Sequence, residues 1–250
     1  MNLGLTGRTA LVTGGRRGIG AGVVRALAAE GMQVAILDRV WDEETEGVLA
    51  DVEAMGGSAL ALEGDAADFG TAEDAVARVA EEWSRLDVLV CSAGVTRDRV
   101  SWKMTSESWE EVLRVNLTGT FACARAAGAA MRKGGNGGRI VAVSSINGLR
   151  GKFGQANYAA SKAGIHGLVK TLARELGSAG VTVNAVAPGL VRTPMTRALP
   201  ESIISQAQEE TATGRLTETG DVAALVAFLA SRAARQITGQ ILRVDGGQYM

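Results

Sequence analysis

Short apolar runs alternate with longer amphipathic stretches along almost the whole chain. Thr9 to Thr13, Val34 to Leu37, Ala59 to Glu63, Val88 to Cys91, Ile140 to Val143, Val181 to Ala187 and Gln240 to Val244 are brief and mostly rich in β-branched residues. That is the signature of strands buried on both faces. Between them, Ala21 to Glu30, Asp42 to Met55, Thr71 to Trp83, Ser106 to about Arg132, a stretch carrying Tyr158 and reaching Ala179, and Val222 to Ala230 have the length and apolar spacing of helices. Gly31 and Gly56-Gly57 mark helix ends, and Thr105-Ser106 followed by acids marks a helix start. Strands alternating with helices of this length predict an α/β fold: a single Rossmann-type, doubly wound parallel sheet of about seven strands with helices on both faces. With no repeat, linker or compositional break, residues 1–250 are expected to form one domain. Arg192 to Leu216 reads as a mobile segment, mixing Met195, Leu199, Ile203 and Ile204 with polar residues.

Ligands on such sheets bind beyond the carboxyl ends of the strands, where the strand order reverses. Gly14 to Gly20, Asp38, Asp65, Cys91 to Gly94, Ser145 and Pro188-Gly189 all follow predicted strand ends, so one crevice is expected to collect them. The first strand runs into Gly14-Gly15-Arg16-Arg17-Gly18-Ile19-Gly20 and then a helix. Glycines let the backbone approach a pyrophosphate, and a helix start turns N–H groups and positive dipole toward it. Asp38, about twenty residues on, stands where an acid bonds an adenine ribose. The spacing is G-x-x-x-G-x-G rather than G-x-G-x-x-G, so the dinucleotide reading rests on strand, loop, helix, strand and acid together.

Further along, Ile140 to Val143 ends at Ser144 and Ser145, and a glycine-punctuated loop leads to a helix with Tyr158 and Lys162. Spaced i,i+4, these two share a helix face. An ammonium beside a phenol favours the phenolate, drawing a group that ordinarily titrates near pH ~10 toward the working range as a general acid or base. A serine at the strand end would hydrogen-bond the oxygen that gains or loses the proton. An interior asparagine such as Asn116 is expected on a solvent face.

Composition narrows the partners. The net charge is −1, with acids and bases mixed throughout, which disfavours nucleic acid. Met1 to Arg8 lacks an apolar signal core and no apolar run is long enough to span a bilayer, so no membrane partner and a cytoplasmic location are expected. Cys91 and Cys123 lack metal-ligand spacing and are expected as buried free thiols. His166 is the single histidine, with neither companion ligand nor nucleophile, and is expected to be structural, so no metal site is expected.

Over nearly its whole length the chain resembles the short-chain dehydrogenase/reductase family. Thr13-Gly14-x-x-x-Gly18-Ile19-Gly20 is similar to its cofactor loop, Asp65 to its adenine-contacting acid, Asn116 to its helix asparagine, and Ser145, Tyr158 and Lys162 to its catalytic trio. The resemblance selects Ser145 over Ser144, which is left to pack or support. It implies cofactor contacts from Gly14, Arg17, Gly18, Ile19, Gly20, Asp38, Arg39, Asp65, Ala66, Ala93 and Gly94. It also implies that Pro188, Gly189, Val191 and Thr193 flank the nicotinamide, that Lys162 and Tyr158 touch its ribose side, and that Asn116 holds a relay water near Lys162. Asp38 suits NAD, whereas Arg17 and Arg39 resemble features of NADP-using members; NAD is the expectation and NADP the alternative.

Within the family, Ala93 to Asp98, Lys103-Met104-Thr105, Asn116 to Gly119 and Val244 to Met250 resemble the β-ketoacyl (3-oxoacyl) thioester reductases. The implied activity is interconversion of a ketone and a secondary alcohol by hydride transfer. A 3-oxoacyl thioester is one implied substrate and a small or cyclic secondary alcohol another. A non-catalytic nucleotide-binding protein is disfavoured by the intact trio. The segment at about 192–216 is implied to be the substrate lid. The resemblance also implies a homotetramer, to which the Ala- and Gly-rich helices Ser106 to Arg132 and Tyr158 to Ala179 would offer a second face. Two departures stand out. Cys91-Ser92-Ala93-Gly94 replaces Asn-Asn-Ala-Gly, so crevice-bracing amides are expected to be missing. Asn136 and Ala179 stand where carrier-protein reductases resemble one another in having arginines beside the active-site entrance. Dependence on acyl carrier protein is therefore doubted, with Arg132, Lys133 and Arg139 as partial substitutes.

Overall fold

The computed structural model describes residues 3–197 and 199–250. Seven strands form one parallel sheet: β1 (Thr9–Thr13), β2 (Gln33–Asp38), β3 (Ala59–Glu63), β4 (Val88–Cys91), β5 (Gly138–Val143), β6 (Val181–Pro188) and β9 (Ile241–Val244), in the order β3-β2-β1-β4-β5-β6-β9. The order reverses between β1 and β4, which pair from Ala10↔Val88 to Thr13↔Cys91. Period-two alternation assigns each strand residue a layer. Ala10, Val12, Val141 and Val143 pack with helices α1 (Gly18–Ala29), α2 (Glu43–Ala54) and α10 (Thr219–Ala230). Leu11, Ile140 and Ala142 pack on the opposite face with α3 (Phe69–Trp83), α5 (Gly119–Gly134) and α7 (Ala156–Leu176). Cys91 and Cys123 are buried free thiols in this second layer.

Four features differ from the sequence reading. The long helix is α4 (Ser106–Leu113) and α5 joined through a π-helical turn, Arg114–Thr118, rather than one regular helix. Its Asn116 is fully buried, not solvent-facing, because the wide turn rotates it inward. The segment read as mobile carries ordered elements: β7 (Val191–Arg192), α8 (Pro194–Arg197) and α9 (Glu201–Glu209), with β7 paired to β8 (Thr217–Glu218). The expected loop after Ser145 contains a short helix, α6 (Asn147–Arg150). Among the described residues no helix is long and apolar enough to cross a membrane.

Candidate active site

A crevice of about 550 Å³ opens beyond the carboxyl ends of the strands. All the residues expected at the site except Asn116 line it: Gly14, Arg17, Gly18, Ile19, Gly20, Asp38, Arg39, Asp65, Ala66, Ala93, Gly94, Ser145, Tyr158, Lys162, Pro188, Gly189, Val191 and Thr193. The first turn is so tight that only glycine serves. Gly14 has φ +67° and a Cβ there would lie 2.7 Å from the Ala93 backbone, while a Cβ at Gly20 would lie 2.0 Å from the Gly14 carbonyl oxygen. Arg17 precedes α1 in extended backbone and makes no side-chain cap, so the first N–H groups of α1 have no side-chain partner from the N-cap. A glycine cradle before an uncapped helix start fits a pyrophosphate.

Beside it, Asp38 sits at the end of β2, one carboxylate oxygen accepting the Arg39 N–H at 2.8 Å. Arg16, a crevice residue that the sequence reading passed over, is held by Asp42 and by Glu44 at 2.7 Å. The acid run Asp42-Glu43-Glu44 was the available signal. Asp65 accepts from the Ala67 N–H at 2.9 Å and from Arg114 at 2.8 Å. Burial pushes this carboxyl up, but those bonds and the guanidinium together hold it below its ordinary value.

The missing Asn-Asn amides are replaced by other groups. The Thr13 hydroxyl accepts from the backbone of Ser92 at 3.2 Å and Ala93 at 3.3 Å. Asn116 accepts the Val95 N–H at 2.8 Å and donates to the Val95 carbonyl and the Ser161 hydroxyl, each at 3.1 Å. Its side chain therefore braces the β4 loop, and a Cβ at Gly94 would meet both Asn116 Oδ1 and Lys162 Nζ within 4 Å.

On the other wall, Ser145 closes β5 and its hydroxyl accepts the Asn147 N–H at 3.1 Å. Lys162 Nζ lies 5.6 Å from the Tyr158 ring centroid and donates to the Val143 carbonyl at 2.8 Å. Ser144 supports from behind, bonded to His166 Nε2 at 2.7 Å and donating to the Lys162 carbonyl at 3.2 Å. His166 is thus a buried structural partner. Asn157, unremarked in the sequence, locks the turn before Tyr158 by donating to the carbonyls of Arg97 and Ser108, both at 3.0 Å.

The expectation that the ammonium draws the phenol down is not met. Burial pushes Tyr158 up to about 12, the Ser145 hydroxyl acts the other way, and Asp98 adds to the rise. Burial likewise pulls Lys162 down to about 8. Desolvation penalises both charged forms here and is the largest cause for each. A phenol so placed is protonated at neutral pH and ready to donate.

The positions read for carrier-protein docking also move. Asn136 and Ala179 precede β5 and β6, so within this chain they lie at the opposite end of the strands from the crevice, six residues away along β5 and eight along β6, or roughly 20 Å and more. Arg139 supplies no rim charge, since it is buried and donates to the carbonyls of Ser231 and Gly138.

Fold and crevice define a class, that of dinucleotide-binding α/β oxidoreductases. Comparison with known proteins makes it specific. Residues 14–248 match the family described as enoyl-(acyl carrier protein) reductase. The chain is 44% identical over 246 residues to the short-chain reductase protein NovJ of Streptomyces niveus, covering 96% of this chain and 93% of that one. It is 41% identical over 243 residues to the 3-oxoacyl-[acyl-carrier-protein] reductase FabG of Staphylococcus aureus, covering 97% and 98%. The crystal structure of a candidate short-chain alcohol dehydrogenase from Sinorhizobium meliloti 1021 superposes with a TM-score of 0.92 at 37% identity, covering 97% of this chain and 96% of that one. The chain belongs to the short-chain dehydrogenase/reductase family and is an oxidoreductase of CH–OH and C=O groups that uses a nicotinamide cofactor.

Proposed function

We propose that this protein is a cytoplasmic NAD(H)-preferring reductase of a 3-oxoacyl thioester or related ketone, acting through Ser145, Tyr158, Lys162 and Asn116. The supporting observation is the convergence of Ser145, Tyr158 and Lys162 on one crevice wall with Pro188, Gly189, Val191 and Thr193 in the same lining. Gly14 to Gly20 would hold the pyrophosphate of a nicotinamide cofactor and the Pro188–Thr193 turn would flank its nicotinamide, which would supply or accept the hydride. Tyr158 gives its phenolic proton to the substrate oxygen, which Ser145 orients. Lys162 stabilises the phenolate left behind, and Asn116 holds the β4 loop against them. Asp38 bonds the adenine ribose.

The substrate is proposed to be independent of acyl carrier protein, such as a coenzyme A ester. Arg139, one of the basic residues near β5 that could have met an acidic carrier, is buried and gives the entrance no charge. A small polar ketone or secondary alcohol is the second reading, favoured by Asp98, Asn147, Arg150, Lys152 and Gln155 in the crevice lining. Acetoacetyl-coenzyme A, a carrier-bound β-ketoacyl substrate and cyclic ketones, assayed together at two salt concentrations, separate these. The thioester should be reduced without the carrier. A carrier-bound advantage of orders of magnitude that high salt erases would overturn the reading, because rim charges act chiefly on association rate and salt dependence.

A homotetramer is proposed with this activity. Trp109 and Phe121 stay exposed on α4 and α5, and Trp102 and Phe153 on the adjoining loops. Light scattering at micromolar concentration should give four chains, and a monomer would refute it.

A further inference from the structure

Four segments distant in sequence meet behind the turn that follows β6. Arg150, ending α6, donates to Glu210 Oε2 from both terminal nitrogens at 3.1 Å and to the Gln248 carbonyl at 3.3 Å. Gln248 donates its amide to the same Glu210 oxygen at 3.0 Å. Its own side-chain oxygen accepts the Leu190 N–H at 3.0 Å. Glu210 directly follows the lid helix α9, and Leu190 lies within the Pro188–Thr193 turn.

The segment after β9 is shaped to put Gln248 there. Asp245 accepts the N–H groups of Gly247 and Tyr249, both at 3.1 Å, folding the chain back on itself. Gly246 and Gly247 have φ of +60° and +77°, and a Cβ on them would fall 2.5 Å from Thr213 Oγ1 and 2.8 Å from Ala212 Cβ. The return of the lid thus lies directly on this segment, and the Thr213 N–H donates to the Gly246 carbonyl at 3.1 Å. A Cβ at Gly189 would lie 2.5 Å from Gln248 Oε1, so the turn too is fitted to this side chain.

We propose that Gln248 is a positioning residue that sets the Pro188–Thr193 turn through Leu190, and that Arg150 and Glu210 tie the lid to it. One amide then reads the lid with its nitrogen and the turn with its oxygen. Displacing α9 pulls on Glu210, and Gln248 passes that movement to the Leu190 amide. The consequence for cofactor affinity rests on the reading of that turn as the nicotinamide side; the positioning itself does not.

The test uses the full chain. Hydrogen exchange at the Leu190 amide is measured without cofactor, NAD affinity by titration, and lid closure by protease cleavage within 199–216. In Gln248→Leu, Leu190 should exchange about tenfold faster, one hydrogen bond being worth about 1.4 kcal/mol, and NAD should bind more weakly by a similar factor. Gln248→Glu keeps the acceptor for Leu190 but sets a carboxylate against Glu210, so the lid should be cut faster while Leu190 stays protected. Adding Glu210→Gln restores a donor–acceptor pair of reversed polarity and an acid for Arg150, and should return cleavage to about the wild-type rate. Unchanged Leu190 exchange in Gln248→Leu, or a double variant cut no more slowly than Gln248→Glu, overturns the proposal. If Gln248→Leu does not fold, the reversed pair still decides. Faster Leu190 exchange with unchanged NAD affinity upholds the positioning and overturns only the assignment of the turn.

Discussion

Tyr158→Phe should lose about a hundred- to ten-thousandfold in turnover, the usual contribution of a general acid, while binding the nicotinamide cofactor as the wild type does. The phenylalanine keeps the ring and its packing but offers no proton, and the Ser145 hydroxyl then faces a hydrogen it cannot bond. The structure adds a pH signature. With the phenol pushed up to about 12, the donor stays protonated through the neutral range. Lys162, drawn down to about 8 by burial, loses its charge as pH rises through that value and then no longer supports the phenolate left by proton transfer. Carbonyl reduction in the wild type should therefore decline above about pH 8. A rate profile for reduction, with cofactor affinity titrated alongside, checks both statements. Turnover in the variant within a few-fold of wild type would remove Tyr158 from its assigned role.

Asp38→Ala should shift the ratio of kcat/KM values from NAD toward NADP by about ten- to a hundredfold, at about 1.4 kcal/mol per decade. A carboxylate ~4 Å from a 2′-phosphate is repelled by about 4 kcal/mol per unit charge at an effective dielectric of about 20. Salt and water in an open crevice reduce that figure. Of the neighbouring cations, Arg16 is already engaged by Asp42 and Glu44, and Arg39 acts on Asp65 as well as standing next to Asp38. A wild-type enzyme that prefers NADPH would overturn the expectation, whatever the variant does.

How much of the site could be read from the chain depended on how local its cause was. The glycine loop was legible because the φ of Gly14 and the absent Cβ of Gly20 are properties of single residues in a strand–turn–helix. Tyr158 and Lys162 were legible because a helix fixes the spacing of its own face. Asn116 was misread because one wide turn, stabilised by bonds to Val95 and Ser161 from other segments, buries it behind the β4 loop instead of leaving it in solvent. The sign of the Tyr158 shift was misread for a related reason: spacing brings the ammonium near, but the first cause of the shift is burial, which comes from everything packed around the pair. Asn136 and Ala179 were placed beside the entrance by resemblance, and the parallel direction of β5 and β6 puts them at the other end of the sheet.

By itself the sequence determined where the seven strands of the main sheet and its covering helices lie, and that a glycine-bounded helix start and a Tyr–Lys pair exist. Those follow from periodicity and from the conformational limits of single residues. Tertiary structure decided the strand order, since β1 meets β4 across an intervening αβαβα stretch. It also decided that Arg150, Glu210, Gln248 and Leu190 share one network. Periodicity records how much of each element is buried, but not which neighbour buries it, and hydrogen bonds between residues 38 to 60 positions apart leave no mark on either partner's local pattern.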